Sequence, residues 1–269
     1  MQHVSRTLIA LGIGLALVGA ACGSSSKSSS ESSTTTSPPT SAAGAKVTGS
    51  ITVSAASSLN QAFKKIGQDF EAANPGAKVK FNFDASSALV TQIKNGGAAD
   101  VFASADQTNM DALKNETNPP VVFAKNKLEI ATKPGNPKNI AGLSGLASAG
   151  VIALCAKKVP CGKYAEQVLQ KANVTIPESK ITRGQNATTT LGQVSQGDAV
   201  AGIVYVTDVK GAGSAVDGVV IPDNQNAIAV YPIASLKGSS NAETAQAFVD
   251  YVNSPAGQQT LQSYGFLAP

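Results

Sequence analysis

Histidine is all but missing from this chain. Among 269 residues only His3 is one, and it sits ahead of any globular pattern. Nucleophilic catalysis of the Ser-His-Asp or Cys-His kind needs a general base, and no imidazole is available for it. The same lack removes the commonest metal ligand. There is no G-x-S-x-G elbow, no P-loop and no G-x-G-x-x-G phosphate cradle. Tryptophan is absent and aromatic residues make up 5% of the chain. The 21 basic and 17 acidic side chains are interspersed, leaving a net charge of +4. No basic stripe with interleaved aromatics results, which argues against nucleic-acid binding. No apolar run reaches the length of a transmembrane helix. Asp100 and Asp106 flank the run 101–105, but Asp106 stands where a helix N-cap belongs, and that role suffices for it. The composition therefore predicts a protein that is not an enzyme and carries no resident cofactor.

What is present begins with an export pattern. Arg6 precedes an apolar run from Leu8 to Ala21, too short to span a bilayer and suited to a secretory signal peptide over 1–21. Cys22 follows Gly19-Ala20-Ala21, which resembles the lipobox of bacterial lipoproteins, although a larger aliphatic is usual where Gly19 stands. Lipidation of Cys22 would place the protein on the outer face of the cell membrane, its only membrane contact. Residues 22–46 are Ser/Thr/Gly/Pro-rich and bury too little to fold, so a flexible tether is expected. Export also makes a local disulfide between the remaining cysteines, Cys155 and Cys161, the expected pairing.

From residue 47 onward strand and helix signals alternate. "SITVSA" (50–55), "KVKFNF" (78–83) and "ADVFASA" (99–105) read as strands. The helical spacing of Leu59, Phe63, Ile66 and Phe70, the segment 86–97 and the segment 106–115 read as the helices between them. That order implies an α/β fold with mostly parallel sheets covered on both faces. A second unit repeats the alternation. Strands are expected at 127–133, 151–155, 201–206 and 226–235, and helices at 161–172 and 188–198. Two C-terminal helices over 241–266 should split near Pro255. Two α/β lobes follow, 47–125 plus 232–269 and 126–231, with the chain crossing near 123–131 and 226–234.

Small hydroxyl residues recur at the strand-to-helix turns. Ser57-Ser58 precede the first helix, Ser86-Ser87 the second, Pro160-Cys161-Gly162 another and Asn186-Ala187-Thr188 another. In open α/β sheets such turns gather beyond the carboxyl ends of the strands, where ligands bind. Several helix N-termini meeting there would supply many N–H donors and little charge, an environment for a small, fully ionised oxyanion. Ser58 is the first residue placed to contribute both a hydroxyl and an N–H.

The stretch "ITVSAASSLNQAFKKIGQDFEAANPGAKVKFNFDASSALVTQIKNGGAADVFASADQTNMDAL", with "VPCGKYAEQVLQK", "AGIVYVTDV" and "VYPIA" after it, resembles the periplasmic molybdate-binding proteins of ABC-type molybdate importers, essentially throughout 49–269. The resemblance implies a class II periplasmic binding protein with a two-segment hinge. It implies capture of molybdate, and of tungstate, as a tetrahedral dianion with no direct ligation of the metal. It further implies a monomer that delivers its ligand to an ABC importer permease. Carried over position by position, Ser58 and Ser86 match the family's ligand serines, and Tyr205 its ligand tyrosine. Cys161 stands where an Ala donates its backbone N–H, and Ala187 where a Val does. The segment "RGQNATTTLG" is richer in Thr than is usual, which makes Thr188 a further candidate, as Ser87 is beside Ser86. Sulfate and phosphate are the competing ligands of the same class, and an enzyme on the same two-lobed scaffold is the remoter alternative.

Overall fold

The computed structural model describes residues 46–269. The expected signal peptide, the lipidation site Cys22 and the tether up to residue 45 lie outside the described residues. The first half alternates as its apolar pattern dictates. Strand β1 (Thr48–Ala56) leads through a 3-10 turn at Ser57–Leu59 into helix α1 (Asn60–Ala73). Then come β2 (Gly76–Asp84), α2 (Ser86–Lys94), β3 (Val101–Ala103) and α3 (Gln107–Asp111). Phe63, Ile66 and Phe70 bury one face of α1. Phe63 and Phe70 each meet the ring of Phe248 edge-on, at 6.0 and 5.4 Å between centroids, a favoured geometry for aromatic pairs.

The long strand β4 (Val121–Thr132) leaves this half. It is followed by α4 (Leu146–Ala149), β5 (Ile152–Cys155), α5 (Pro160–Lys171), β6 (Ile181–Gly184) and α6 (Ala187–Ser195). Next are β7 (Ala201–Tyr205), α7 (Val206–Ala212), β8 (Asp217–Val220) and the returning strand β9 (Ile228–Ser235). Helices α8 (Ala242–Asn253) and α9 (Pro255–Ser263) close the chain against the first half, split at Pro255 as its missing N–H requires.

The strand order is β2-β1-β3-β9-β4-β7-β5-β6, with β8 also on β4. Parallel pairing holds on the two flanks, where β1 joins β2 and β3, and β5 joins β6 and β7. The centre is antiparallel: β9 pairs with β3 and β4, and β4 pairs with β7 and β8. Strand β4 lies against β9 through Val121–Lys127 and against β7 through Leu128–Thr132. Two adjacent antiparallel strands, β4 and β9, are thus the segments that connect the flanks; the segment 123–131 lies within β4, and 226–234 overlaps β9 from Ile228 onward.

Several elements differ from the sequence reading. Strands β6 and β8 have four residues each, too few for alternation to register. Strand β4 begins earlier than expected, at Val121, and α3 ends at Asp111. The strand anticipated over 201–206 stops at Tyr205. There the Asp208 carboxylate accepts from the Tyr205 backbone N–H at 3.0 Å, and the β-branched Val206 and Thr207 turn into α7 instead.

Candidate functional site

Helices α2, α5 and α6 and the turn into α1 begin around one small cavity. It measures about 200 Å³, room for a small ion rather than for a peptide. Ser58, Ser86, Cys161, Ala187 and Tyr205 all line it, together with Ser57, Ala105 and Asn186. All five residues singled out from the sequence are buried.

Each lining group is set by a local rule. Pro160 opens α5, leaving Cys161 as the second helical residue. Asn186 caps α6: its side chain accepts from Thr189 N–H at 2.9 Å, and its own N–H donates to Thr189 Oγ1 at 3.1 Å. Ala187 is then the first residue of α6, and Ser86 the first of α2. First-turn N–H groups have no partner inside their helix, and the helix dipole makes their surroundings positive. The cavity therefore sits where unfulfilled donors converge. Cys161 is joined to Cys155 at the end of β5, with Cα atoms 5.8 Å apart. The bridge fixes the turn that presents Cys161. Gly162 is needed beside it, because a Cβ there would run into the Ala156 carbonyl oxygen.

The hydroxyls point the same way. Ser86 Oγ accepts from the Ala105 N–H at 3.0 Å, so its own proton is free to be donated elsewhere. Ser58 Oγ lies 2.8 Å from Tyr231 Oη. Tyr205 Oη is buried and has no hydrogen-bond partner among the described residues. Burial pushes the Tyr205 phenol well above its ordinary value, so it stays protonated and able to donate. An orphaned buried hydroxyl costs about 1–3 kcal/mol, and this one lines the cavity on which the helix starts converge.

No lysine or arginine among the described residues lines the cavity. The one charged side chain that does is Asp84, which the sequence reading passed over. Its Oδ1 accepts from the Ala85 N–H at 2.7 Å and from Asn186 Nδ2 at 3.0 Å, the latter joining the end of β2 to the start of α6. Two further bonds cross between the flanks. Lys163 Nζ meets Asp106 at 3.2 Å, and Gln61 donates to the Gly211 carbonyl at 2.8 Å. Asp106 is also the N-cap of α3, as its position suggested.

Thr188 and Ser87 do not join the five. Thr188 follows Ala187 on α6 and so points about 100° further around the helix. It is exposed and lines a neighbouring, larger cleft of about 630 Å³ with Ser57, Ser58, Gln61, Thr207 and Asp208. Ser87 is half-buried and does not line the small cavity.

The chain matches the family described as bacterial extracellular solute-binding protein over residues 51–267. It is 37% identical over 224 residues to the molybdate-binding protein ModA of Mycobacterium tuberculosis, covering 82% of this chain and 85% of that one. It is 32% identical over 240 residues to the ModA of Haemophilus influenzae, covering 84% and 92%. Among solved structures, the periplasmic molybdate-binding protein of Azotobacter vinelandii has the same fold, with a TM-score of 0.73 at 22% identity over 81% of this chain and 99% of that one. The architecture is thus the class II periplasmic-binding fold, two α/β lobes joined by a pair of strands, and the chain belongs to the ModA group of the bacterial extracellular solute-binding proteins.

Proposed function

We propose that this protein captures molybdate, and tungstate with it, outside the cytoplasm and hands the anion to an ABC importer permease. The observation that carries the reading is the buried, unpartnered Tyr205 hydroxyl in a cavity that Ser58, Ser86, Cys161 and Ala187 also line. In this reading the three hydroxyls and the N–H groups of Cys161 and Ala187 hold a tetrahedral dianion, which takes the place of water on every donor. The negative charge is offset by helix N-termini and charge-assisted hydrogen bonds rather than by a cation. Molybdate and tungstate have nearly the same size and charge, so one cavity serves both. Sulfate carries the same charge on shorter bonds and would leave donors out of reach. The names of the relatives favour molybdate over sulfate and phosphate, the alternative ligands.

Residues 47–125 plus 232–269 form the first lobe in this proposal and 126–231 the second, with β4 and β9 as the hinge. Ser58 and Ser86 belong to the first lobe, and Cys161, Ala187 and Tyr205 to the second. A ligand touching both sets draws the lobes shut and excludes water, which strengthens each bond. The bonds of Asp84 to Asn186 and of Lys163 to Asp106 belong to that closed form. The chain is a monomeric binding protein without a cofactor, tethered through lipidated Cys22.

Titration calorimetry of the folded domain against molybdate, tungstate, sulfate and phosphate tests the assignment. Tight binding of the first two and weak binding of the others is expected. A domain that prefers sulfate or phosphate, or that binds none of the four, refutes it.

A further inference from the structure

We infer that Tyr231 is a positioning residue that turns the Ser58 hydroxyl proton into the cavity, and that Asn126 sets the direction of Tyr231. This rests on the reading of Ser58 as a ligand.

The argument follows protons. The Oδ1 of Asn126 accepts from the Lys127 N–H at 2.9 Å, which identifies that atom as the oxygen. Its amide nitrogen therefore faces Thr207 Oγ1 at 2.8 Å and Tyr231 Oη at 3.4 Å. An amide NH₂ only donates. The Tyr231 oxygen then accepts from Asn126, and its single proton is left for Ser58 Oγ at 2.8 Å. Tyr231 and Asn126 are both fully buried, so water does not compete for either group. Ser58 is thereby made an acceptor towards the protein and keeps its own proton for the cavity. Ser86 reaches the same state by another route, accepting from the Ala105 N–H. Both serines are polarised in one sense, and a chain of donors in series strengthens each member.

The chain also selects. A protonated oxyanion brings an O–H that needs an acceptor. Ser58 is already turned the other way by Tyr231, so hydrogen phosphate meets a donor where it wants an acceptor. Asn126 and Tyr231 lie on β4 and β9, the two strands that connect the flanks, and Thr207 is the second residue of α7. The polarity of Ser58 is therefore fixed by the connecting strands rather than by the turn that carries it.

A double-mutant cycle tests this by calorimetry on the folded domain, with thermal unfolding as the folding control. Tyr231→Phe is expected to weaken molybdate binding roughly tenfold and to lower the ratio of molybdate to phosphate affinity. In the Ser58→Ala background the same change is expected to have almost no effect on either quantity, because there is no hydroxyl left to orient. Equal losses in both backgrounds would mean a merely structural role and overturn the inference, as would wild-type affinity for Tyr231→Phe. Should that variant unfold, Asn126→Leu removes the donor at the other end of the chain. It is expected to lower the molybdate-to-phosphate ratio in the Ser58 background alone, and an unchanged ratio would overturn the inference equally. If Ser58→Ala by itself leaves molybdate binding intact, it is the ligand reading that fails, which separates the two failures.

Discussion

Replacing Tyr205 by Phe should lower affinity while leaving the stability of the unliganded protein unchanged. The hydroxyl lies inside the protein, its residue about 1% exposed, with no partner among the described residues. Without ligand the lobes stand open and water serves the hydroxyl, so removing it forfeits no protein partner and leaves the ring contacts with Tyr164 and Tyr231 in place. The unliganded variant should therefore be as stable as the parent. For a domain of this size each kcal/mol corresponds to about 2–4 °C in Tm, and the shift should stay within that. With ligand bound the outcome differs. A hydrogen bond from a phenol to a dianion, shielded from water, contributes about 1.5–3 kcal/mol, or roughly 10- to 150-fold in Kd. Thermal unfolding without ligand and titration calorimetry with molybdate measure the two effects on one preparation. A variant that binds as tightly as the parent, or that loses stability along with affinity, would show that the Tyr205 hydroxyl serves the fold and not the ligand.

Other outcomes follow from neighbouring groups. Asp84→Asn keeps an acceptor for Ala85 and Asn186 while removing a negative charge from the cavity wall. Oxyanion binding should tighten by roughly 1 kcal/mol at high dielectric, and calorimetry would read this as about a fivefold lower Kd. Burial pushes the Asp208 carboxyl up to about 7. A carboxyl raised in the folded state gives stability that is complete below its unfolded value near 4 and is lost as the pH rises through about 7. Thermal unfolding at pH 5 and pH 8 should show most of that loss, about 2–3 kcal/mol from this group over that interval, and Asp208→Asn should flatten it. Reducing the bridge between Cys155 and Cys161, six residues apart, should cost about 2 kcal/mol of stability for so short a loop. It should also weaken anion binding by loosening the turn at Cys161, seen as a lower Tm and a higher Kd in the presence of reductant.

The amphipathic spacing of Phe63, Ile66 and Phe70 announced α1, and the alternation in 78–83 announced β2, because both patterns are written in side chains a few residues apart. Pro160 and Pro255 marked helix starts for a reason internal to proline. Short elements such as β6 and β8 carried too little pattern to be read. Tyr231 stands in the sequence only as part of "VYPIA", and nothing local signals that its hydroxyl meets Ser58, 173 residues away. The converse held for Thr188, whose composition suggested a ligand and whose place on α6 turned it to another cleft.

The sequence by itself determined the helix starts, and with them the supply of unpaired N–H groups and hydroxyls, since capping and propensity are local. Only the tertiary structure decided that these starts meet at one cavity, that Asp84 joins its wall, that the centre of the sheet runs antiparallel and that the Tyr205 hydroxyl is left without a partner. Those facts depend on contacts between residues far apart along the chain. Such contacts form only when the whole sheet closes, and no short window of sequence contains them.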